Sequence, residues 1–136
     1  MRSAAATPAT QEQHHRYDRG RRAEAWAKVL KQGKRLAAKG VWVIMFPEGT
    51  RVARGEVGEY KTGASRLAAT AGIPIVPIAA TSAKCWPRKS WLLRPGVIDV
   101  SIGAPIPAAG RDPGALMKEV EAWIEAEMRR LDPEAY

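Results

Sequence analysis

Apolar residues recur along the chain at the spacing of amphipathic helices. Over residues 20–39 they fall within one arc of about 100°, and lysine and arginine occupy the opposite side. A second helix has a clear start signal, because Asp112 suits the N-cap and Pro113 the first helical position. Glu127 falls inside the apolar face of that helix, which is locally inconsistent with burial. The apolar residues of that face are Leu116, Val120, Trp123, Ile124 and Leu131.

Three shorter apolar runs have the length of β-strands. Residues 41–46 are apolar without alternation, as in a strand buried on both faces of a parallel sheet. Residues 73–79 carry two prolines, which favour an edge strand or a bulge, and residues 97–102 alternate. A helix over residues 61–71, closed by Gly72, lies between the first two strands. The order of elements predicts an α/β fold with a short, mostly parallel sheet flanked by helices.

The composition is that of one globular domain with unevenly placed charge. The chain has 136 residues, of which 46% are hydrophobic, so a packed core is favoured over disorder. The net charge is +8, and residues 1–40 hold ten Lys and Arg against three acids, Glu12, Asp18 and Glu24. A basic surface for an anionic partner and a merely solvated basic face both fit this excess. Residues 1–16 are predicted to be a disordered tail, and no apolar stretch reaches the roughly 18–20 residues that cross a bilayer.

The loop after the first predicted strand, residues 46–51, carries residue types that bind an anionic, hydroxylated ligand. Arg51 can hold a phosphate through two parallel charge-assisted hydrogen bonds, and Thr50 adds a hydroxyl donor. Gly49 lets the backbone approach a ligand closely. Glu48 can orient Arg51 or accept a hydrogen bond from a substrate hydroxyl. A turn with a solvent-facing salt bridge is the alternative interpretation of this composition.

A second anion-binding feature follows in the sequence. Residues 61–63, Lys-Thr-Gly, open the next predicted helix, whose free N–H groups can bind an anion. Lys61 therefore joins the loop as a candidate binding residue.

Several segments resemble the signature blocks of one family. The sequence FPEGTR at residues 46–51, after the strand VWVIM, resembles the third block of the 1-acylglycerol-3-phosphate acyltransferases, the PlsC-like family. YKTGA at 60–64 resembles that family's F-K-x-G-A helix start, and VPIA at 76–79 matches its fourth block. Asp18-Arg19 is similar to the I-D-R of its second block, although a tyrosine precedes the pair here.

The resemblance implies a fold, an activity and a site. Residues 17–132 are expected to be the carboxyl-terminal portion of a PlsC-like domain, with a partial glycerolphosphate-acyltransferase fold. The family transfers an acyl chain from acyl-CoA or acyl carrier protein to lysophosphatidate, which gives phosphatidate for phospholipid biosynthesis. No bound cofactor and no metal are expected. The substrate-binding residues expected in this sequence are Glu48, Gly49, Thr50, Arg51, Arg19 and Lys61.

The family's first block, a histidine followed by four residues and an aspartate, is not found in this sequence. In the family the histidine takes the proton of the acceptor hydroxyl, and the aspartate orients the imidazole. The chain has two histidines, His14 and His15, and only three residues separate His14 from Asp18. The catalytic residues are therefore unassigned, and we expect a truncated product or a misassigned start. An acyltransferase by descent and a non-catalytic remnant that binds lipid phosphate or a membrane surface both stay open.

The loop of residues 86–94, WPRKSWLLR, has the composition of an interfacial contact, since tryptophan and leucine alternate with cations. Packing of Trp91 and Leu92 beneath the loop is the alternative. With a lysophospholipid substrate implied, we expect peripheral association with the anionic cytoplasmic face of a membrane, and acyl carrier protein is a further candidate partner. A single cysteine, Cys85, fits a reducing compartment.

Two further expectations complete the interpretation. No RNA-binding aromatic motif, zinc spacing or helix-turn-helix signal is found, so no nucleic-acid partner is expected. Exposed apolar surface is expected around Val43 and Phe46, where the sheet would have an open edge.

Overall fold

The computed structural model describes the backbone of residues 8–136 and the side chains of residues 20–136, in two units that divide between Trp42 and Val43. Helix α1, Pro8–Ala38, belongs to the first unit and begins earlier than the predicted Gly20. Its lysines are exposed, as the amphipathic pattern predicts, while Trp26 and Leu30 are partly covered. The predicted boundary between tail and domain at residue 16 stays a prediction.

The second unit contains the remaining helices and a small sheet. Two α-helices and two strands follow residue 62, and α3 packs against both α2 and β1. The bounds are Gly63–Ala71 for α2, Ile78–Ala80 for β1, Val100–Ile102 for β2 and Pro113–Leu131 for α3. The α/β class is confirmed, with strands shorter than the sequence predicts.

The prediction of a mostly parallel sheet is wrong, because β1 and β2 run antiparallel, with Ile78 opposite Ile102. The antiparallel arrangement follows from the loop that connects the two strands, whose ends are joined by hydrogen bonds. The backbone N–H of Thr81 donates to the carbonyl of Asp99 at 3.0 Å, and the N–H of Asp99 donates to Oγ1 of Thr81 at 2.9 Å. This pair closes the intervening loop and returns the chain along β1. Parallel strands would need a crossover in place of this closure.

The core of the second unit lies between α2, α3 and the segment after β2. Leu116 is fully buried, and it clusters with other buried apolar residues of these elements. Asp112 caps α3 as predicted, since its Oδ2 accepts from the N–H of Ala115 at 2.8 Å. The Oγ of Ser65, also fully buried, donates to the carbonyl of Pro113 at 2.7 Å and so joins α2 to the start of α3.

Residues 41–46 form no strand, so that prediction is wrong for this described segment. A strand needs a neighbouring strand for its backbone groups, and the described residues place none beside it. Several apolar side chains of the segment are consequently exposed, and Phe46 has 79% of its surface accessible. The prediction of exposed apolar surface around Val43 and Phe46 is confirmed.

Within the part of the chain that the structure describes, no helix has both the length and the apolar character needed to cross a membrane.

Candidate functional site

The loop that begins with FPEGTR is closed on itself by backbone hydrogen bonds. The N–H of Gly49 donates to the carbonyl of Phe46 at 3.0 Å, and the N–H of Lys61 donates to the carbonyl of Pro47 at 3.0 Å. Gly49 has a φ of +67°, in the left-handed region that favours glycine. The two ends of the segment 46–61 therefore lie next to each other. We call this segment the ligand loop.

Gly49 and Lys61 meet at this closure. A Cβ built on Gly49 would lie 3.7 Å from Nζ of Lys61, so the ammonium group lies beside the open face of the glycine. Lys61 is exposed, and among the described side chains its ammonium has no hydrogen bond or ion pair. Its position at the start of α2 adds the free N–H groups of a helix end to the same region.

Arg51 is exposed and stacks on an aromatic ring. Its Cζ lies 4.6 Å from the centroid of the Trp86 ring, within the range of a cation–π contact. A cation–π contact uses none of the N–H groups of the guanidinium as a donor to an oxygen, so these groups stay available to a ligand. Within residues 20–136, no side chain forms a hydrogen bond or an ion pair with Arg51.

Two other arginines of the second unit are engaged with carboxylates. Arg54 binds Asp132 at 2.7 Å, and Arg130 binds Glu127 at 2.6 Å. The Arg54 pair joins the ligand loop to the end of α3, whereas the other two cations of the loop, Arg51 and Lys61, have no acidic partner among the described side chains. Arg51 and Lys61 are therefore the cations of the ligand loop whose charge is available to an external anion.

Glu48 lies underneath the loop and does not pair with Arg51 in the described structure. Its side chain is half-buried against Gly58, because a Cβ built on Gly58 would come within 2.9 Å of the Cγ of Glu48. The interpretation that Glu48 orients Arg51 stays a prediction, and in this structure Trp86 contacts the guanidinium. Glu48 remains a candidate acceptor for a substrate hydroxyl.

Tyr60 fixes the end of the ligand loop to α3. Its hydroxyl donates to Oε1 of Glu125 at 2.9 Å. Burial raises the pKa of Tyr60, and the hydrogen bond to Glu125 and the nearby charges of Glu125, Glu48 and Glu121 raise it further. The phenol therefore stays neutral at ordinary pH and keeps its hydrogen-bond donor, which holds the backbone just before Lys61.

The remaining residues predicted from the sequence are Thr50, Arg19 and the two histidines. Thr50 is exposed in the turn between Gly49 and Arg51. The side chains of Arg19, His14 and His15 lie outside the described residues. Among the described side chains, no group of three His, Cys, Asp or Glu comes together as metal ligands would.

Trp86 contacts the ligand loop, although the sequence did not predict it as a site residue. The sequence placed it in an interfacial loop, and nothing in the local pattern indicates that its ring lies against Arg51. Only the interleaving of tryptophan with cations in residues 86–94 offered a hint that an arginine could stack there.

A separate cleft of about 540 Å³ lies at another part of the second unit. Two of its three cations have acidic partners, since Lys84 lies 3.5 Å from Asp99 and Arg54 lies 3.8 Å from Glu134. Mixed and paired charge makes it less suited to an anion than the ligand loop. The cleft is lined by Arg54, Ala83, Lys84, Pro87, Arg94, Val97, Asp99 and Glu134.

Comparison with known proteins gives consistent matches. The sequence matches the model of the family described as Acyltransferase over residues 6–81. A 1-acyl-sn-glycerol-3-phosphate acyltransferase of Pseudomonas aeruginosa is 39% identical over 119 residues, which are 85% of this chain and 46% of that protein. The human 1-acyl-sn-glycerol-3-phosphate acyltransferase alpha is 34% identical over 97 residues, covering 71% of this chain and 34% of that protein.

A solved structure agrees with the sequence matches. The crystal structure of the 1-acyl-sn-glycerophosphate acyltransferase PlsC from Thermotoga maritima superposes with a TM-score of 0.70 at 28% identity. The match covers 76% of this chain and 44% of that chain. The chain thus spans about half the length of the Pseudomonas relative and less than half of the solved structure.

Proposed function

This chain belongs to the Acyltransferase family, and from that premise we propose that its ligand loop binds the phosphate of lysophosphatidate for acyl transfer in phospholipid synthesis. The observation that carries the proposal is that two cations of the ligand loop, Arg51 and Lys61, have no acidic partner among the described side chains. Arg51 supplies planar donors that fit two phosphate oxygens, and Lys61 supplies a point charge beside the glycine turn.

The other loop residues have roles that follow from their positions. Gly49 leaves room for the ligand beside Lys61, and the exposed hydroxyl of Thr50 can donate to a phosphate oxygen. Glu48 can accept a hydrogen bond from the glycerol hydroxyl. Arg19 is proposed as a second phosphate contact on the family's pattern alone.

The proposed reaction joins the acyl group to a free hydroxyl of the lysophospholipid as an ester and breaks a thioester of coenzyme A or of acyl carrier protein. The described residues assist by binding and orienting the acceptor. No residue of this sequence is assigned as the base that removes the hydroxyl proton, because a histidine followed by four residues and an aspartate does not occur in it. This observation favours the second candidate, a chain that binds lipid phosphate without catalysing transfer by itself.

A surface that meets lipid is part of the same proposal. Trp91 has 97% of its surface accessible, and Leu92, Leu93 and Val97 are also exposed. These exposures exclude the alternative that Trp91 and Leu92 pack beneath the loop. Exposed tryptophan and leucine beside cations suit peripheral contact with an anionic membrane surface, which we propose to be the cytoplasmic one.

Phosphate binding can be tested with a soluble headgroup. Titration of glycerol 3-phosphate into the full chain by calorimetry should give saturable binding, and glycerol should give none. Arg51→Ala and Lys61→Ala should each weaken the affinity about tenfold or more, since each removes one charge-assisted contact. Arg35→Ala and Lys118→Ala remove the same charges at other exposed positions and should leave the affinity within about twofold. Equal weakening by all four variants would show a general charge effect and contradict the proposal.

Lipid contact needs its own test. The chain should sediment with vesicles of phosphatidylglycerol and phosphatidylcholine at low salt, and Trp91→Ala combined with Leu92→Ala should reduce the bound fraction. Equal sedimentation of this double variant would remove the 86–94 loop from the proposal and leave the phosphate site untouched.

A further inference from the structure

The contact between Arg51 and Trp86 joins two segments that are distant in the sequence. Arg51 lies in the ligand loop, and Trp86 follows the short 3₁₀ helix Ser82–Lys84. The guanidinium carbon lies over the indole ring, 4.6 Å from its centroid, within the range of a cation–π contact. The N–H donors of the guanidinium remain free for a ligand.

Trp86 is itself held in place by hydrogen bonds at both ends. Its backbone N–H donates to the carbonyl of Ser82 at 2.8 Å, and its indole Nε1–H donates to the carbonyl of Ser90 at 3.1 Å. The ring is thereby fixed by its own loop and does not depend on Arg51 for its orientation.

Arg51, unlike Trp86, has no hydrogen bond among the described residues that fixes its side chain. It is a long side chain with many rotamers, and the Trp86 ring is its contact within the described structure, where it has no hydrogen bond or ion pair. A side chain that is ordered before the ligand arrives loses less conformational freedom on binding. The fixed indole therefore provides the order that the arginine lacks by itself.

We propose that Trp86 is a positioning residue for the phosphate grip, because its indole orients Arg51 toward the phosphate of the acceptor. This inference rests on the proposed function, since it assigns a supporting residue to the same site. Trp86 also begins the exposed apolar and basic loop of residues 86–94. One residue thus connects the phosphate site with the surface proposed to meet the lipid, where a lysophospholipid headgroup would be encountered.

The test is a double-mutant cycle with glycerol 3-phosphate as the probe, measured by calorimetry on the full chain. Trp86→Ala should weaken binding about fivefold to tenfold, and Trp86→Phe, which keeps an aromatic face, should stay within about threefold of the unchanged chain. Trp42→Ala is the control, because it removes an exposed tryptophan that belongs neither to the ligand loop nor to residues 86–94, and it should leave the affinity unchanged. In an Arg51→Ala background, Trp86→Ala should have no further effect.

A loss of folding is separated from a loss of positioning by a second variant. Trp86→Leu keeps apolar bulk but has no aromatic face, so it should weaken binding as Trp86→Ala does while its melting temperature stays close to that of Trp86→Phe. Full affinity in Trp86→Leu would contradict the inference.

Failure of the inference and failure of the proposed function have different signatures. If Arg51→Ala binds glycerol 3-phosphate as well as the unchanged chain does, the proposed function is wrong. If Arg51→Ala weakens binding but Trp86→Ala does not, or if Trp86→Ala weakens it equally in both backgrounds, only the positioning role is overturned.

Discussion

Arg54 donates two hydrogen bonds of 2.7 Å each to the two carboxylate oxygens of Asp132, a residue that lies 78 positions later in the chain. Asp132 ends α3 and is buried, while Arg54 belongs to the ligand loop. Lys84 reaches the same carboxylate at 3.8 Å. One buried acid therefore ties the ligand loop and the turn before Trp86 to the last helix. The hydrogen bonds from Arg54 lower the pKa of Asp132 against the opposing effect of burial, and the charges of Arg54 and Lys84 lower it further.

The first prediction concerns the pH dependence of this anchor. Because the pKa of Asp132 is lowered in the folded chain, its carboxylate contributes stability that is present above the ordinary value of 3.8 and is lost as the pH falls through the folded value. Asp132→Asn should therefore be less stable at pH 7, and it should lose less stability than the unchanged chain as the pH falls below about 4. Urea unfolding at pH 7 and pH 3 measures both effects.

The control for Asp132 is Glu134→Gln, which changes an exposed carboxylate of the same segment. It should show nearly the stability and pH dependence of the unchanged chain. An Asp132→Asn chain with unchanged stability at pH 7 would mean that the Arg54 contact does not hold the loop.

The second prediction concerns Gly58, where the ligand loop passes closest to its own side chains. A Cβ at this position would lie 2.6 Å from Cγ2 of Val52 and 2.9 Å from Cγ of Glu48. Gly58→Ala should therefore displace the base of the loop, destabilise the chain by about 1–3 kcal/mol and weaken binding of glycerol 3-phosphate. Thermal unfolding and calorimetric titration measure these two effects.

Gly20→Ala provides the comparison for Gly58, since a Cβ on Gly20 meets nothing within 4 Å and the residue lies in α1. That substitution should be neutral or slightly stabilising, because alanine favours a helix. If Gly58→Ala were equally harmless, the close packing of Glu48 beneath the loop would be contradicted.

The third prediction concerns the Tyr60 hydroxyl, which stands where the family's motif has phenylalanine. Tyr60→Phe removes the hydrogen bond to Glu125, whose other oxygen, Oε2, is buried without a hydrogen-bond partner in the described structure. We expect a loss of about 1 kcal/mol in the free energy of unfolding, measured by urea denaturation, with the affinity for glycerol 3-phosphate within about twofold. Tyr136→Phe, which keeps its ring over Arg129, should cost less. A larger loss of affinity than of stability would assign Tyr60 a direct role in binding.

The fourth prediction concerns catalysis by the chain alone. Since the sequence contains no histidine followed by four residues and an aspartate, the purified chain should transfer no acyl group from acyl-CoA to lysophosphatidate above a heat-inactivated sample. Release of free thiol from coenzyme A and formation of labelled phosphatidate are the two measurements. Transfer above that background would show that another residue acts as the base.

Local signals in the sequence predicted local structure well. Asp112 and Pro113 located the start of α3, and Gly72 ended α2 in the left-handed conformation, because caps depend on adjacent residues. The FPEGTR loop was also visible, since its chemistry and its glycine turn lie within a few residues.

Features that depend on distant partners were not visible in the sequence. The antiparallel return of β2 depends on the pairing of Thr81 with Asp99, and no periodicity reports that contact. The inconsistency at Glu127 has a similar explanation, because its carboxylate accepts from Ser101 at 2.6 Å and pairs with Arg130. These hydrogen bonds, from Arg130 first and Ser101 second, lower the pKa of Glu127 to about 2 and allow a charged group within the apolar arc.

The central claim is that the ligand loop, and no other basic surface, binds the phosphate. Its most direct test is a titration of the ¹⁵N-labelled full chain with glycerol 3-phosphate, followed through the backbone amide resonances. The account predicts saturable shifts concentrated at Gly49, Thr50, Arg51 and Lys61, with smaller changes at Trp86. Shifts concentrated on the lysines of α1, or at Lys84 and Arg94, with the ligand loop unchanged, would contradict it.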